Sequence, residues 1–257
     1  MSELTLTPPT AAKAAATDPA PWRFWSTLAW GVAELVAYNL IQFVVLLGLL
    51  MWWRLHPTVP AVDLKTLGSN AVVVSILTLA SVPPALLVIV LAVKLARSRL
   101  VDYLALKRVD GETLVFALAC TIAYGAAVEI LTWLSGRPLV APFTADLYRT
   151  TRETGSWALM LAAVVIAAPV GEELLFRGFL MRGWSASRLG ARGAVVLSAT
   201  IWAVLHVQYD WPMIAEIFGL GLLFGYLRLR SGSTLTTIVT HAVYSAIAIV
   251  QAAVLVV

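Results

Sequence analysis

The sequence predicts an all-α fold, a polytopic helical membrane protein with about seven transmembrane helices. Of its 257 residues, 60% are hydrophobic and only 12% are charged, whereas soluble domains carry about 25% charged residues. Apolar runs of about 20 residues, enough to cross about 30 Å of hydrocarbon, recur along the chain, and mean hydropathy is +0.87.

Each element follows from apolar runs bounded by charged or turn-forming clusters. The opening MSELTLTPPTAAKAAATDPAP is rich in Ala, Pro and Thr and lacks a signal peptide's basic and apolar regions. Residues 1–22 are therefore expected to be a disordered cytoplasmic tail before an uncleaved first span. Residues 23–257 are expected to form a single helical membrane domain. Its spans fall near 26–53, 71–96, 113–134, 157–183, 193–209, 212–228 and 237–256. The fifth is short and carries a histidine, so six to eight crossings are compatible with the pattern. Pro83 and Pro84 predict a kink in the second span, because neither supplies an amide donor.

Basic residues orient the chain. With the amino terminus inside, twelve of the eighteen Lys and Arg fall on inner segments, five on outer segments and one, Arg177, within a span. The carboxyl terminus is then outside. Trp22, Trp25 and Trp184 fall near the inner boundary, and Trp52, Trp53, Trp133, Trp157 and Trp211 near the outer one. The net charge of +4 thus reads as topology rather than nucleic-acid binding, for which there is no motif. Cys120 is the only cysteine, so an intrachain disulfide is excluded. Gly221 and Gly225 stand at GxxxG spacing, which allows a neighbouring helix to approach closely.

Ionisable groups inside a membrane cost about 2.5 to 3.5 kcal/mol even on lenient scales, so each is a functional candidate. The set is Glu34, Glu129, Glu172, Glu173, Arg177, His206, Glu216 and His241. Glu173 and Arg177, four apart on one face, form the favoured orientation for an ion pair that fixes a helix. Glu172 is rotated by about 100° from Glu173 and has no partner three or four positions away, a setting suited to a general base. His206 and His241 each add an imidazole from another span. Counted from the inner span ends, Glu172 and His206 are at similar depth; His241 matches only if the last span is tilted or begins earlier. Hydrogen-bonded packing is the plain account of Glu34, near Asn39, and of Glu129, near Thr132. Glu216 falls near the outer boundary, where solvation suffices.

Three motifs resemble the CPBP or Abi group of intramembrane proteases, which includes the eukaryotic CaaX protease that trims prenylated proteins. EExxxR stands as Glu172, Glu173 and Arg177. FxxxH appears as WAVLH, with Trp202 for Phe and His206 kept. The third motif, His with Asn or Asp four residues on, appears as HAVYS, with His241 and Ser245. The match spans about residues 155–250. The resemblance implies an intramembrane endopeptidase in which Glu172 activates the attacking water and His206 binds or polarises it. His241 and Ser245 would steady the oxyanion, with Glu173, Arg177 and Trp202 as supporting structure. Cutting is expected near the cytoplasmic face. Ser245 offers a single hydroxyl donor where Asn has a directed amide.

The family is often labelled metallopeptidase, and Glu172, His206 and His241 are the three ligands of a zinc or other divalent site if a metal is used. A carboxylate–histidine set can also activate water directly. The expected partners are a membrane-anchored peptide or protein substrate and the lipid bilayer. Two other functions fit the chain: an inactive family member serving as scaffold or bacteriocin-immunity factor, and a proton-coupled transporter relaying protons through Glu172 and the histidines. The tail and charge pattern suggest a bacterial cytoplasmic membrane. The segment 135–156 reads as an ordinary connection, with covering the cavity as its alternative.

Overall fold

A computed structural model describes residues 22–58 and 63–256. Most of the expected tail lies outside the described residues. Trp22, counted with it, donates its indole N–H to the Ala92 carbonyl at 3.0 Å. In chain order the helices are α1 (Phe24–Leu55), α2 (Ala71–Leu95), the single turn α3 (Leu100–Tyr103), α4 (Gly111–Leu134) and α5 (Pro142–Thr154). They are followed by α6 (Trp157–Ser185), α7 (Gly190–Val204), α8 (Trp211–Ser231) and α9 (Thr234–Leu255). Among the described residues, six helices are long and apolar enough to span a membrane, and α7 is a shorter apolar helix. The chain is an all-helical integral membrane protein, and about seven helices agrees with this arrangement.

Local chemistry sets the helix ends. The Asn70 side-chain Oδ1 accepts from the amides of Val72 and Val73 and starts α2. Asp110 caps α4 through the Thr113 amide, and Asp210 caps α8 through the Met213 amide. Gly232, at φ 66°, closes α8 in a left-handed turn that glycine adopts without cost. Ser233 then accepts from Leu235 N–H to open α9. Helix α9 thus begins three residues before the expected boundary. α2 runs on through Pro83 and Pro84.

α6 is the central element and is irregular. Two π-helical stretches, Leu161–Ala167 and Leu174–Leu180, flank the regular turn Ala168–Glu173 that carries both glutamates. Pro169, in that turn, has no amide to donate and would clash one turn back, which the wider preceding stretch accommodates. The core around α6 includes Phe176, Phe179, Leu180, Trp184, Trp202 and Phe224, all almost fully buried. Trp184, expected near the inner membrane boundary, is completely buried within the protein and stacks on Phe24 with ring centroids 5.9 Å apart.

Glycines set two helix contacts. A Cβ on Gly225 would stand 2.6 Å from Val195 Cγ1, and one on Gly221 2.9 Å from the Ala199 Cβ. The GxxxG pair is therefore where α8 meets α7. A Cβ on Gly183 would overlap the Thr27 side chain, which locks the start of α1 against the end of α6.

Candidate active site

Glu172 and Glu173 leave α6 in different directions. Glu173 and Arg177 are wholly buried, and Arg177 Nη1 donates to Glu173 Oε1 at 3.0 Å, the expected pair. Arg177 Nη2 also reaches the Gly221 carbonyl at 3.3 Å, and its guanidinium lies 4.4 Å from the centre of the Trp202 ring. A cation over an indole face is attracted by the ring's quadrupole. Arg177 thus ties α6 to both α7 and α8.

Glu172 has a partner, but on another helix. Trp202 Nε1–H donates to Glu172 Oε2 at 2.6 Å. A phenylalanine at position 202 has no such donor. The same indole meets the His206 ring at 5.1 Å and the His241 ring at 5.4 Å, both edge-on. Trp202 therefore touches Glu172, Arg177 and both histidines, a central place that sequence reading credited only as support.

His206 lies beyond the end of α7, not within a span as expected. The helix stops at Val204, and His206 Nδ1 sits 2.7 Å from the Trp202 carbonyl. Because a carbonyl only accepts, Nδ1 carries the proton and Nε2 is left as the free nitrogen. The imidazole occupies one of the last carbonyls of α7, as cationic or donor side chains do at helix ends. His241 Nδ1 lies 3.0 Å from Glu173 Oε1 and donates to it. The bond to Glu173 and the contact with the Trp202 ring place His241 beside the other site groups. Its link is thus to Glu173, not to Glu172, and Glu173 holds two donors at once.

These groups share a wall. Glu172, His206, His241 and Ser245 all line one cavity of about 530 Å³, with Glu34, Tyr38, Asn39 and Gln42 from α1 and Thr78 from α2. Its lining draws on connecting segments at one face only, through Gly68, Phe143, Gln208 and Tyr209. That is the face with few basic residues. The expectation of cutting near the basic, cytoplasmic face therefore does not suit the cavity. Phe143, on α5, lines this cavity and a neighbouring one of about 190 Å³. The segment 135–156 is thus part of the wall and more than a connection.

The remaining acids also differ from expectation. Thr132 gives its hydroxyl to Glu216 at 3.2 Å rather than to Glu129, and Arg137 stands 3.6 Å from Glu216 and 2.8 Å from Asp210. Glu216 is held by partners, not merely solvated. Asn39 donates to Leu35 O on its own helix, leaving Glu34 without that partner. Outside the spans, the capping amides hold the Asp110 and Asp210 carboxyls below the usual range, and Arg137 adds to this at Asp210.

As they stand, the side chains do not form a three-ligand metal set. Glu172 Oε2 is taken by Trp202, His241 is turned to Glu173, and among the described residues no three His, Cys, Asp or Glu side chains converge on a metal position.

Comparisons with known proteins agree with the motifs. The chain is 30% identical over 122 residues to a curated Escherichia coli protein described as an uncharacterized 24.3 kDa protein. The match covers 45% of this chain and 55% of that protein, so the chain spans about half the length of the relative it matches. No solved structure matches. Residues 154–247, which hold all three motifs from Glu172 to Ser245, match the family described as type II CAAX prenyl endopeptidase Rce1-like.

Proposed function

We propose that the protein is an intramembrane endopeptidase that hydrolyses a peptide bond of a membrane-associated substrate with a water activated by Glu172. The observation that supports this most is the shared cavity, whose wall includes Glu172, His206, His241 and Ser245. Glu172 Oε2 is held by the Trp202 indole, so Oε1 is the base for the water. His206, protonated on Nδ1, accepts a hydrogen bond at Nε2 and turns the water towards the scissile carbonyl. His241 keeps Nδ1–H on Glu173 and, when doubly protonated, offers Nε2–H to the oxyanion. Ser245, one helical turn further on the same face of α9, offers its hydroxyl. These are the parts peptide hydrolysis needs: an activated nucleophile and donors aimed at the developing charge. No step is routed through a metal, and activity is expected to survive chelation.

With basic residues inside, the amino terminus is cytoplasmic, the carboxyl terminus is outside, and the cavity opens to the outer side of a bacterial cytoplasmic membrane. Prenylated CaaX chains are then a poor match to the substrate, and a membrane-anchored segment entering from the outer leaflet is a better one. Ser245, replacing an amide or carboxyl side chain, favours a second reading, a catalytically silent scaffold or immunity factor.

The test is incubation of the purified protein, reconstituted in liposomes, with a panel of membrane-anchored peptides, followed by mass spectrometry of the products. Cleavage by wild type, lost in His206→Ala and kept in chelator, is expected. Partner binding with no cleavage at all would favour the scaffold.

A further inference from the structure

Helix α1 turns most of its surface outward: Val36, Leu40 and Phe43 are each more than half exposed. Its buried residues are Thr27, Gly31 and Glu34, a stripe at helical spacing that faces α6. The register between the two helices is given by contacts. Gly183 on α6 meets Thr27, and Gly31 meets Leu180. One further turn along this antiparallel pair brings Glu34 level with residue 177 and a second brings Tyr38 level with residues 172–173; Glu34, Tyr38, Glu172 and Phe176 all line the large cavity. On this register Glu34 stands opposite residue 177, so it is offset from Glu172 by five residues, about 7.5 Å at 1.5 Å per residue along the axis.

Glu34 is unlike an ordinary packed acid. It is only 5% exposed, and its Oε2 has no hydrogen-bond partner. No Lys or Arg lines the cavity, and the titratable groups that face it with Glu34 are Tyr38, Glu172, His206, Tyr209 and His241. Glu34 thus places a second carboxyl in the space that Glu172 lines, with one oxygen not yet engaged. Glu172, once it has taken the proton of water, can return it to the leaving amine, and the Glu34 carboxyl is a second donor in the same space.

We propose that Glu34 is a second catalytic carboxyl, the acid that protonates the leaving nitrogen; this role rests on the hydrolytic reading above. Glu172 takes a proton from water as the water oxygen bonds to the scissile carbon. Glu34 gives its proton to the peptide nitrogen as the C–N bond breaks, releasing an acid and an amine. The proton on Glu172 then passes to Glu34 and resets both groups. Atoms and charge balance with water as the co-reactant. The division of labour, one carboxylate as base and one carboxylic acid as donor, follows from their surroundings: Trp202 donates to Glu172, whereas Glu34 Oε2 has no donor.

The experiment compares kcat, KM and the pH profile of wild type, Glu34→Gln and Glu34→Asp in liposomes. Glu34→Gln keeps the shape and polarity but cannot release a proton. It is expected to lower kcat by about 10²- to 10⁴-fold with KM nearly unchanged, the usual contribution of a general acid. The alkaline limb of the wild-type kcat profile should change with it, leaving only the part contributed by loss of the second His241 proton. Glu34→Asp should recover part of kcat and restore that limb. A kcat within about threefold of wild type with the alkaline limb intact would overturn the role. If Glu34→Gln does not fold, Glu34→Asp decides: a lowered kcat with a displaced alkaline limb supports the role, and an unchanged limb overturns it. Absence of cleavage by wild type overturns the hydrolytic reading and this role together, whereas cleavage that is indifferent to residue 34 overturns this role alone.

Discussion

Trp202 and Glu173 are the residues on which the site depends. The indole bond to Glu172 is a hydrogen bond to a charged group, worth about 1.5 to 3 kcal/mol. Trp202→Phe keeps the ring over Arg177 but removes the donor, and kcat is expected to fall by about 10- to 150-fold with the fold retained. Unchanged kinetics would remove Trp202 from the mechanism. Glu173→Gln should act differently, because it leaves Arg177 buried without its counter-charge. Breaking a buried pair in this way costs about 3 to 5 kcal/mol, so loss of folded yield and a lower Tm are expected along with loss of activity. The Glu173–Arg177 pair was legible in the sequence because both groups are on one helix at fixed spacing. The Glu172–Trp202 and Glu173–His241 bonds were not, because they depend on the rotation and register of separate helices.

At the scale of helices, the close approach of α7 and α8 holds Trp202 in place. Gly221→Leu would push a side chain into Ala199 and the Trp202 ring, so it is expected to lower both Tm and activity, whereas Gly48→Leu, where nothing stands within 4 Å of a Cβ, should lower neither. The capping carboxyls give a pH dependence. Asp110 and Asp210 have folded pKa values below their unfolded ones. Their contribution is therefore present above the unfolded carboxylate range and is lost as pH falls through the folded value. Tm should decline on acidification below the ordinary Asp pKa, about 4, and Asp210→Asn should flatten part of that decline. Most spans were legible from hydropathy. The end of α7 was not, because Leu205 and Val207 continue the apolar run past the last helical turn. The π-helical stretches of α6 had no clear signal beyond Pro169 and the neighbouring glycines.

Across the whole molecule, the distribution of basic residues and the lining of the cavity refer to opposite faces. If the basic face is cytoplasmic, Gln208 is outside and Arg108 inside. In a Cys120→Ala background, Gln208→Cys should react with an impermeant thiol reagent added to intact cells, and Arg108→Cys should react only after the membrane is opened. The reverse pattern would place the cavity mouth in the cytoplasm. The site itself gathers side chains from four helices, α1, α6, α7 and α9, or their ends, around one space. The proposed chemistry turns on the carboxylate with no partner on its own helix. The most direct test is kcat of Glu172→Gln against wild type on one membrane-anchored substrate, with Tm recorded for both. A fall of at least about 10²-fold at unchanged Tm is expected for loss of a general base. Equal turnover by the two proteins would contradict water activation by Glu172.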